Sequence, residues 1–325
     1  MTMQKTYAIR MAATGGPEVM DYVEVDLPAP AAGEVQVRNE AIGLNYIDVY
    51  FRTGLYPMPL PAGVGLEGAG VVTAVGEGVD FKLGDRVAYC DRPPGSYAQM
   101  RNMPAKSLVK VPDDIGLDSA AAMMLKGMTV EYLFHRTYQV QAGQTILFHA
   151  AAGGVGLIAM QWAKALGLTV IGTVGSDEKA ELAKKHGCDY PIVYTRENFQ
   201  QRVMDITDGK GVPVVYDSIG KDTFQASIDS LSPFGLFVSF GNASGPVPPV
   251  PLTALKGNLY MCRPSLMAHS SNRATLEAMS ARLFDMVSSG KVSIEIDQRY
   301  ALKDAAQSHR DLEARKTTGS TILLP

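Results

Sequence analysis

Two hydrophobic rhythms divide the chain. Residues 7–50 alternate strongly between apolar and polar positions. Tyr7–Met11, Met20–Val25 and Glu34–Ile42 read as strands, with turns at Gly15-Gly16-Pro17 and Pro28–Gly33. From 63 to 90, glycines punctuate short Val-rich runs, which suits a small twisted barrel with tight corners. Ile42–Pro57 reads as a strand end, a short helix and a proline-bounded loop. Asp118–His135 is an Ala- and Met-rich helical stretch.

A second rhythm starts at Gly143. Thr145–His149 is a short apolar run that reads as a buried strand. Gly153, Gly154 and Gly156 follow at once. From Val155 to Leu166 the apolar residues recur at three- and four-residue spacings, as on a helix. A second strand is predicted at Thr169–Val174 and a helix from Asp177. Strands Pro191–Tyr194, Pro213–Asp217, Leu236–Phe240 and Gly257–Cys262 then alternate with helices Glu197–Thr207 and Asp222–Leu231. This order implies a parallel sheet with right-handed crossovers. Helix Arg273–Ser289, strand Val292–Ile296, helix Lys303–Ala314 and a strand near Ser320–Leu323 complete the chain. No internal repeat is visible.

Composition narrows the classes. The 325 residues suffice for two domains, and the net charge of −3 points to no nucleic-acid or acidic-membrane partner. No apolar stretch approaches the ~20 residues that span a bilayer. The first residues lack the apolar core of a secretory signal. Three scattered cysteines, Cys90, Cys188 and Cys262, suggest neither a disulfide framework nor a metal cluster. The cytoplasm is therefore the expected location.

The candidate chemistry begins at the glycines. A strand, a glycine turn and a helix bring backbone N–H groups and the positive helix end to an anion. Gly153, Gly154, Val155 and Gly156 are thus candidate pyrophosphate residues, a tight turn being the plainer alternative. A dinucleotide fold that prefers NAD places Asp or Glu at the tip of the second strand. Here the tip is Val174-Gly175-Ser176, with Lys179 one turn on and Tyr194 ending the next strand. Gly175, Ser176, Lys179 and Tyr194 are candidates for the 2′-phosphate of NADPH. Asp177 and Glu178 would oppose that phosphate if they pointed inward. Ser176 also suits a helix N-cap. Ser218 and Phe240-Gly241-Asn242 end later strands at the edge where open α/β sheets bind ligands.

Gly143, Gln144, Leu147, Ala151, Ala152, Gly153, Gly154, Gly156, Gln161 and Lys164 match, in order and spacing, the signature of a known family. The chain resembles the zinc-free, ζ-crystallin-like quinone oxidoreductase branch of the medium-chain dehydrogenases, over essentially its whole length. The resemblance implies an α/β protein. Its GroES-like β-barrel catalytic domain would be discontinuous, 1–124 and 267–325. A Rossmann doubly wound domain, 125–266, would be inserted, and the 118–135 helix would lead into it. Gly65-x-Glu67, Gly70-Val71-Val72, Val75-Gly76 and Gly84-Asp85-Arg86-Val87 resemble the same catalytic domain. Turn and bulge geometry accounts for these glycines, and no chemistry is assigned to them.

The resemblance also supplies site residues. It places Asn45, Tyr46, Asp48 and Tyr50 beside the nicotinamide. Asn45 and Tyr46 would bond the cofactor or a quinone oxygen; Asp48 would orient them or cap the helix; Tyr50 would stack on a flat acceptor or pack. It places Lys126 and Thr129 at the nicotinamide ribose and amide, with Tyr132 a further pocket candidate. Arg263, Pro264, Ser265 and Leu266 would close the site, and Arg315 would reach the cofactor.

Zinc-dependent members carry a Cys and a Gly-His-Glu motif where this chain has Asn45 and Gly65-Leu66-Glu67. Neither asparagine nor leucine binds zinc. The expectation is therefore no metal. Alcohol oxidation calls for a Lewis acid or a base, so an electron-poor acceptor such as a quinone fits better. Two rivals stand beside an NADPH-dependent quinone reductase. One is a reductase of enone or enoyl double bonds; the other is a non-catalytic NADPH-binding protein, crystallin-like or RNA-binding. The family pairs nucleotide domains through their last strand, and Asn258–Cys262 is apolar enough to need cover, so a homodimer is expected.

Overall fold

The computed structural model describes residues 3–325 and divides into two compact units. The first comprises Met1–Met128, His269–Ser288 and Ile294–Pro325; the second comprises Thr129–Ala268 and Ser289–Ser293.

The first unit is built on two sheets. Asp21–Leu27, Gln4–Met11 and Ala62–Gly63 form one, antiparallel throughout. The other runs Ile296–Ala301, Ser320–Leu324, Glu34–Leu44, Glu67–Val75, Arg86–Cys90, Leu108–Lys110, with Met100–Pro104 also on Glu34–Leu44. Glu34–Leu44 is thus the central strand. Its alternation buries Val35 and Val37 with Val72, Val87, Tyr89, Met103 and Leu108. A second cluster joins Ile42 and Leu44 to Ile9, Met11, Val64, Tyr97, Leu302 and Leu323. Each fully buried side chain of this kind contributes about 1.5–3 kcal/mol. Two register shifts bend the strand against Glu67–Val75, and beyond them Gly43 pairs with Glu67. That register sets Glu67 beside the carboxyl end of Glu34–Leu44.

In the second unit six strands lie parallel, in the order Tyr190–Val193, Thr169–Val174, Thr145–Phe148, Val212–Asp217, Leu231–Ser239, Tyr260–Cys262. Numbered along the chain this is 3-2-1-4-5-6, the dinucleotide-fold order. The strands read as near-continuous apolar runs because both sheet faces are covered: Ile146, Leu147, Phe148, Val170, Ile171, Val214 and Val215 are buried.

Several element boundaries differ from the pattern reading; the strand expected at Leu236–Phe240, for one, already begins at Leu231, where the preceding helix was expected to end. The strand expected at Val292–Ile296 forms instead at Ile296–Ala301, parallel to Ser320–Leu324. Ser293 is held elsewhere: its N–H and C=O both bond the Gln161 side chain, at 2.8 and 3.0 Å. The Gly257–Cys262 strand starts only at Tyr260, because Gly257 and Asn258 are left-handed, with φ of 81° and 59°. The 118–135 helix spans Leu117–Tyr132 and ends in a single π turn, Leu133–Thr137.

Candidate functional site

In the first unit, the short helix Tyr46–Thr53 starts where the central strand stops. Asn45 is its N-cap residue, and the Asp48 carboxylate accepts the Asn45 N–H at 2.9 Å. Asp48 thus caps the helix and holds the Asn45 backbone. The Asn45 side chain points to Glu67, donating from Nδ2 to Oε1 at 2.6 Å. Glu67 is fully buried, and two more donors converge on it. Lys126 Nζ lies 3.2 Å from Oε1, and the Leu125 N–H donates to Oε2 at 2.6 Å. Lys126 also donates to the Leu44 carbonyl at 3.2 Å. A buried carboxylate costs several kcal/mol unless so paired. Gly43 leaves the room: a Cβ there would stand 2.2 Å from Glu67 Oε1. Glu67 is therefore the hub of the cluster, although the sequence reading gave it no chemistry.

A second polar chain runs from the same helix to the helix Ala305–Glu313. Tyr97 donates its hydroxyl to Asp48 Oδ2 at 3.0 Å and lies 3.1 Å from His309 Nε2. The Tyr97 proton is thereby committed, so the assigned tautomer has His309 Nε2–H donating to the phenol oxygen. One turn on, Arg52 Nη2 donates to Glu313 Oε1 at 2.8 Å. Residues 48 and 52, and 309 and 313, are i,i+4 pairs, so the helices meet as two rungs. Burial pushes the Asp48 carboxyl up to about 7, against the pull of its bonds from Asn45 and Tyr97. Burial, then the Arg52 charge, push His309 down to about 3.

Tyr46 is half-buried, its ring 5.5 Å from that of Tyr50, which lies 5.1 Å from Tyr56. Burial raises the Tyr46 phenol pKa. Tyr50 is buried in this aromatic row, which favours packing as its role. Arg315 is exposed and left-handed, with φ 59°, just past the Ala305–Glu313 helix.

In the second unit the candidates fall at one edge. They follow the carboxyl ends of the six parallel strands in turn: Gly153–Gly156, Gly175–Lys179, Tyr194, Ser218, Phe240–Asn242 and Arg263–Leu266. Thr129 and Tyr132 are buried on the Leu117–Tyr132 helix. Gly153 caps the helix Gly154–Ala165. The first N–H groups of a helix have no partner inside it, which leaves those of Gly154, Val155 and Gly156 for an anion. Gly156 must be bare, since a Cβ would stand 2.3 Å from the Ala150 carbonyl. The turn itself is made by Ala150, with φ 56°. Gly241 is needed for a similar reason: a Cβ would meet the Ser218 carbonyl at 2.6 Å.

Beneath this edge lies a buried lattice of hydrogen bonds. Asp217 Oδ1 accepts the N–H groups of Ile219 and Gly220, and Oδ2 accepts the hydroxyls of Thr223 and Ser227. His149 lies 2.9 Å from Ser227 Oγ and 2.8 Å from Thr173 Oγ1. Since Ser227 donates to Asp217, the assigned tautomer has His149 donating from Nε2 and accepting at Nδ1. Burial depresses the His149 pKa and keeps the ring neutral, outweighing the Asp217 charge. Ser227, His149 and Asp217 are all fully buried, so this Ser-His-Asp set holds the loop after Asp217 in shape and offers no nucleophile.

At the second strand tip Ser176 is the N-cap, accepting the Lys179 N–H at 3.4 Å. Asp177 faces Arg196, whose Nη1 donates to Oδ2 at 2.7 Å and Nη2 to Oδ1. The sequence reading missed Arg196, because nothing in linear spacing ties 196 to 177.

Among the described residues, no group of three or more His, Cys, Asp and Glu could hold a metal ion. At the positions where zinc-dependent members carry ligands, Leu66 is fully buried and Asn45 is bonded to Glu67.

Residues 31–113 match the alcohol dehydrogenase GroES-like domain and residues 154–284 the zinc-binding dehydrogenase model. A quinone oxidoreductase of Pseudomonas aeruginosa is 55% identical over 98% of this chain and 99% of its own. The chain belongs to the quinone oxidoreductases. These form a branch of the medium-chain dehydrogenases. The Escherichia coli quinone oxidoreductase, solved in complex with NADPH, superposes with a TM-score of 0.97 at 48% identity, covering 98% of this chain and all of that one. A 2-haloacrylate reductase of a Burkholderia species is 46% identical over 96% of both chains. The α/β class, with a GroES-like domain and a doubly wound parallel sheet, stands as the family resemblance implied.

Proposed function

We infer that the chain is an NADPH-dependent quinone oxidoreductase. The observation that carries this is the six-strand edge, where bare glycines and helix N–H groups form a seat for a dinucleotide. The residues fit the cofactor: Gly153–Gly156 take the pyrophosphate, and Gly175, Ser176, Lys179 and Tyr194 take the 2′-phosphate. Ser218, Gly241 and Asn242 border the dinucleotide. Thr129, Tyr132, Phe240 and Arg263–Leu266 complete its surroundings, and the parallel-sheet unit is the nucleotide-binding domain. Bound NADPH supplies the hydride.

Asn45, Tyr46, Asp48 and Lys126 are the proposed reaction-side residues. Glu67 holds Asn45 and Lys126 in register, and Asp48 sets the Asn45 backbone. Their task is placement and exclusion of water, which suits an acceptor that is already electron-poor. A quinol takes its protons from solvent, so Tyr46→Phe retains most turnover. A loss of several orders of magnitude would assign the Tyr46 phenol a proton-transfer role instead.

The reading predicts NADPH oxidation that depends on 1,4-naphthoquinone. Turnover with a short enone and none with the quinone would install the double-bond reading, which the 2-haloacrylate relative favours. NADPH binding with no acceptor-dependent oxidation would leave only a binding protein.

The chain is further proposed to be a cytoplasmic homodimer. Its cysteines are free, and among the described residues no helix is long and apolar enough to cross a membrane. Tyr260–Cys262 is an edge strand of the parallel sheet with Tyr260 well exposed, and a second copy covers such an edge.

A further inference from the structure

The loop after the third parallel strand is stitched to the turn after the second. Tyr194 N–H donates to the Val174 carbonyl at 3.1 Å, and Thr195 Oγ1 to the Gly175 carbonyl at 3.4 Å. The Tyr194 hydroxyl stands 3.2 Å from where a Gly175 Cβ would lie. Next in line, Arg196 grips Asp177 through both guanidinium nitrogens. Asp177 is the first carboxylate after the second strand, whose own tip has none, and an uncancelled carboxylate so placed repels a 2′-phosphate. Both side chains are more than half exposed, so as a stabilising contact the pair is worth little. Its geometry matters more than its strength: a bidentate fork occupies both carboxylate oxygens.

We propose that Arg196 is a specificity-determining residue that neutralises Asp177, the first acid past the second strand tip, and so lifts its repulsion of the 2′-phosphate of NADPH. Lys179 and the N-terminal end of the Asp177–Lys185 helix also favour the phosphate, and Glu178 opposes it. Arg196 shifts this balance by cancelling one of the two acids. The inference rests on the NADPH reading of the preceding section.

Equilibrium titration of the full chain with NADPH and with NADH, by calorimetry without any acceptor, tests both. For Arg196→Ala we expect the NADPH Kd to rise about tenfold while the NADH Kd holds or falls. In Asp177→Asn/Arg196→Ala the NADPH Kd returns to within about threefold of wild type, because the charge that Arg196 cancels is gone. An unchanged NADPH Kd in the single variant overturns the proposal. So does a double variant as weak as the single one, which would mean that Arg196 acts on the phosphate alone. Wild-type protein that binds neither nucleotide would instead defeat the NADPH reading itself. Melting curves within a few degrees of wild type confirm that these exposed substitutions leave the fold intact.

Discussion

Glu67 shows what a single residue decides here. It is a carboxylate without solvent, and its charge is tolerable only because Lys126, Asn45 and the Leu125 N–H surround it. Glu67→Gln leaves Lys126 buried without its counter-charge, and breaking such a pair costs about 3–5 kcal/mol. We expect a clear fall in Tm and in turnover. Glu67→Gln/Lys126→Met removes both charges and should recover part of the Tm but none of the turnover; measuring both quantities separates stability from function. Asp48 offers a pH test. Its carboxyl titrates near 7 in the fold against 3.8 ordinarily. Between those values the folded chain keeps a proton that the unfolded chain has lost, so stability falls as pH rises through that window. Asp48→Asn lacks this proton, and its Tm relative to wild type should climb from pH 5 to pH 8. A flat difference would mean that Asp48 is ionised throughout. His309 works in the opposite sense: its fold-depressed pKa removes stability as pH falls from 6.5 toward 3. At this scale the sequence named Asn45, Asp48 and Lys126 but missed Tyr97, His309 and Arg196. Their partners lie 49, 212 and 19 positions away, beyond any local pattern.

At the scale of elements, legibility follows the source of the stabilising contacts. Strand Thr169–Val174 and the helix from Asp177 form where the pattern put them, because an apolar run and an N-cap serine are local signals. The strand near residue 294 moved because Ser293 is bonded by Gln161, a partner 132 positions away. The glycine turn was legible as a turn, but the reason for each glycine was not. Gly156 makes room for its own turn, and the left-handed residue is Ala150. Gly156→Ala must push back the Ala150 carbonyl, an overpacking of about 1–3 kcal/mol. The expected outcome is a lower Tm and a rise of at least about tenfold in NADPH Kd by titration. Unaltered binding would show that the turn relaxes without moving its N–H groups.

For the whole molecule, sheet order is the fact with most consequence. The order 3-2-1-4-5-6 brings segments from 153 to 266 to one edge, and it leaves Tyr260–Cys262 unpaired on one side. A homodimer should therefore appear in sedimentation at micromolar concentration. Tyr260→Lys, which sets a charge on that edge, should shift it toward monomer; a wild-type monomer would reject the pairing. The sequence by itself determined the alternation of strand and helix, the glycine turn, the missing carboxylate at the second strand tip and the lack of ligand residues at 45 and 66. Those are properties of neighbours in the chain, set by periodicity, backbone freedom and side-chain chemistry. Only the tertiary structure decided that Glu67 would gather Asn45 and Lys126, that Tyr97 would join Asp48 to His309, and that Arg196 would close on Asp177. Those choices depend on strand register and helix facing, through which groups far apart in the chain come within bonding distance and, around Glu67 and Tyr97, lose the water that would otherwise screen them.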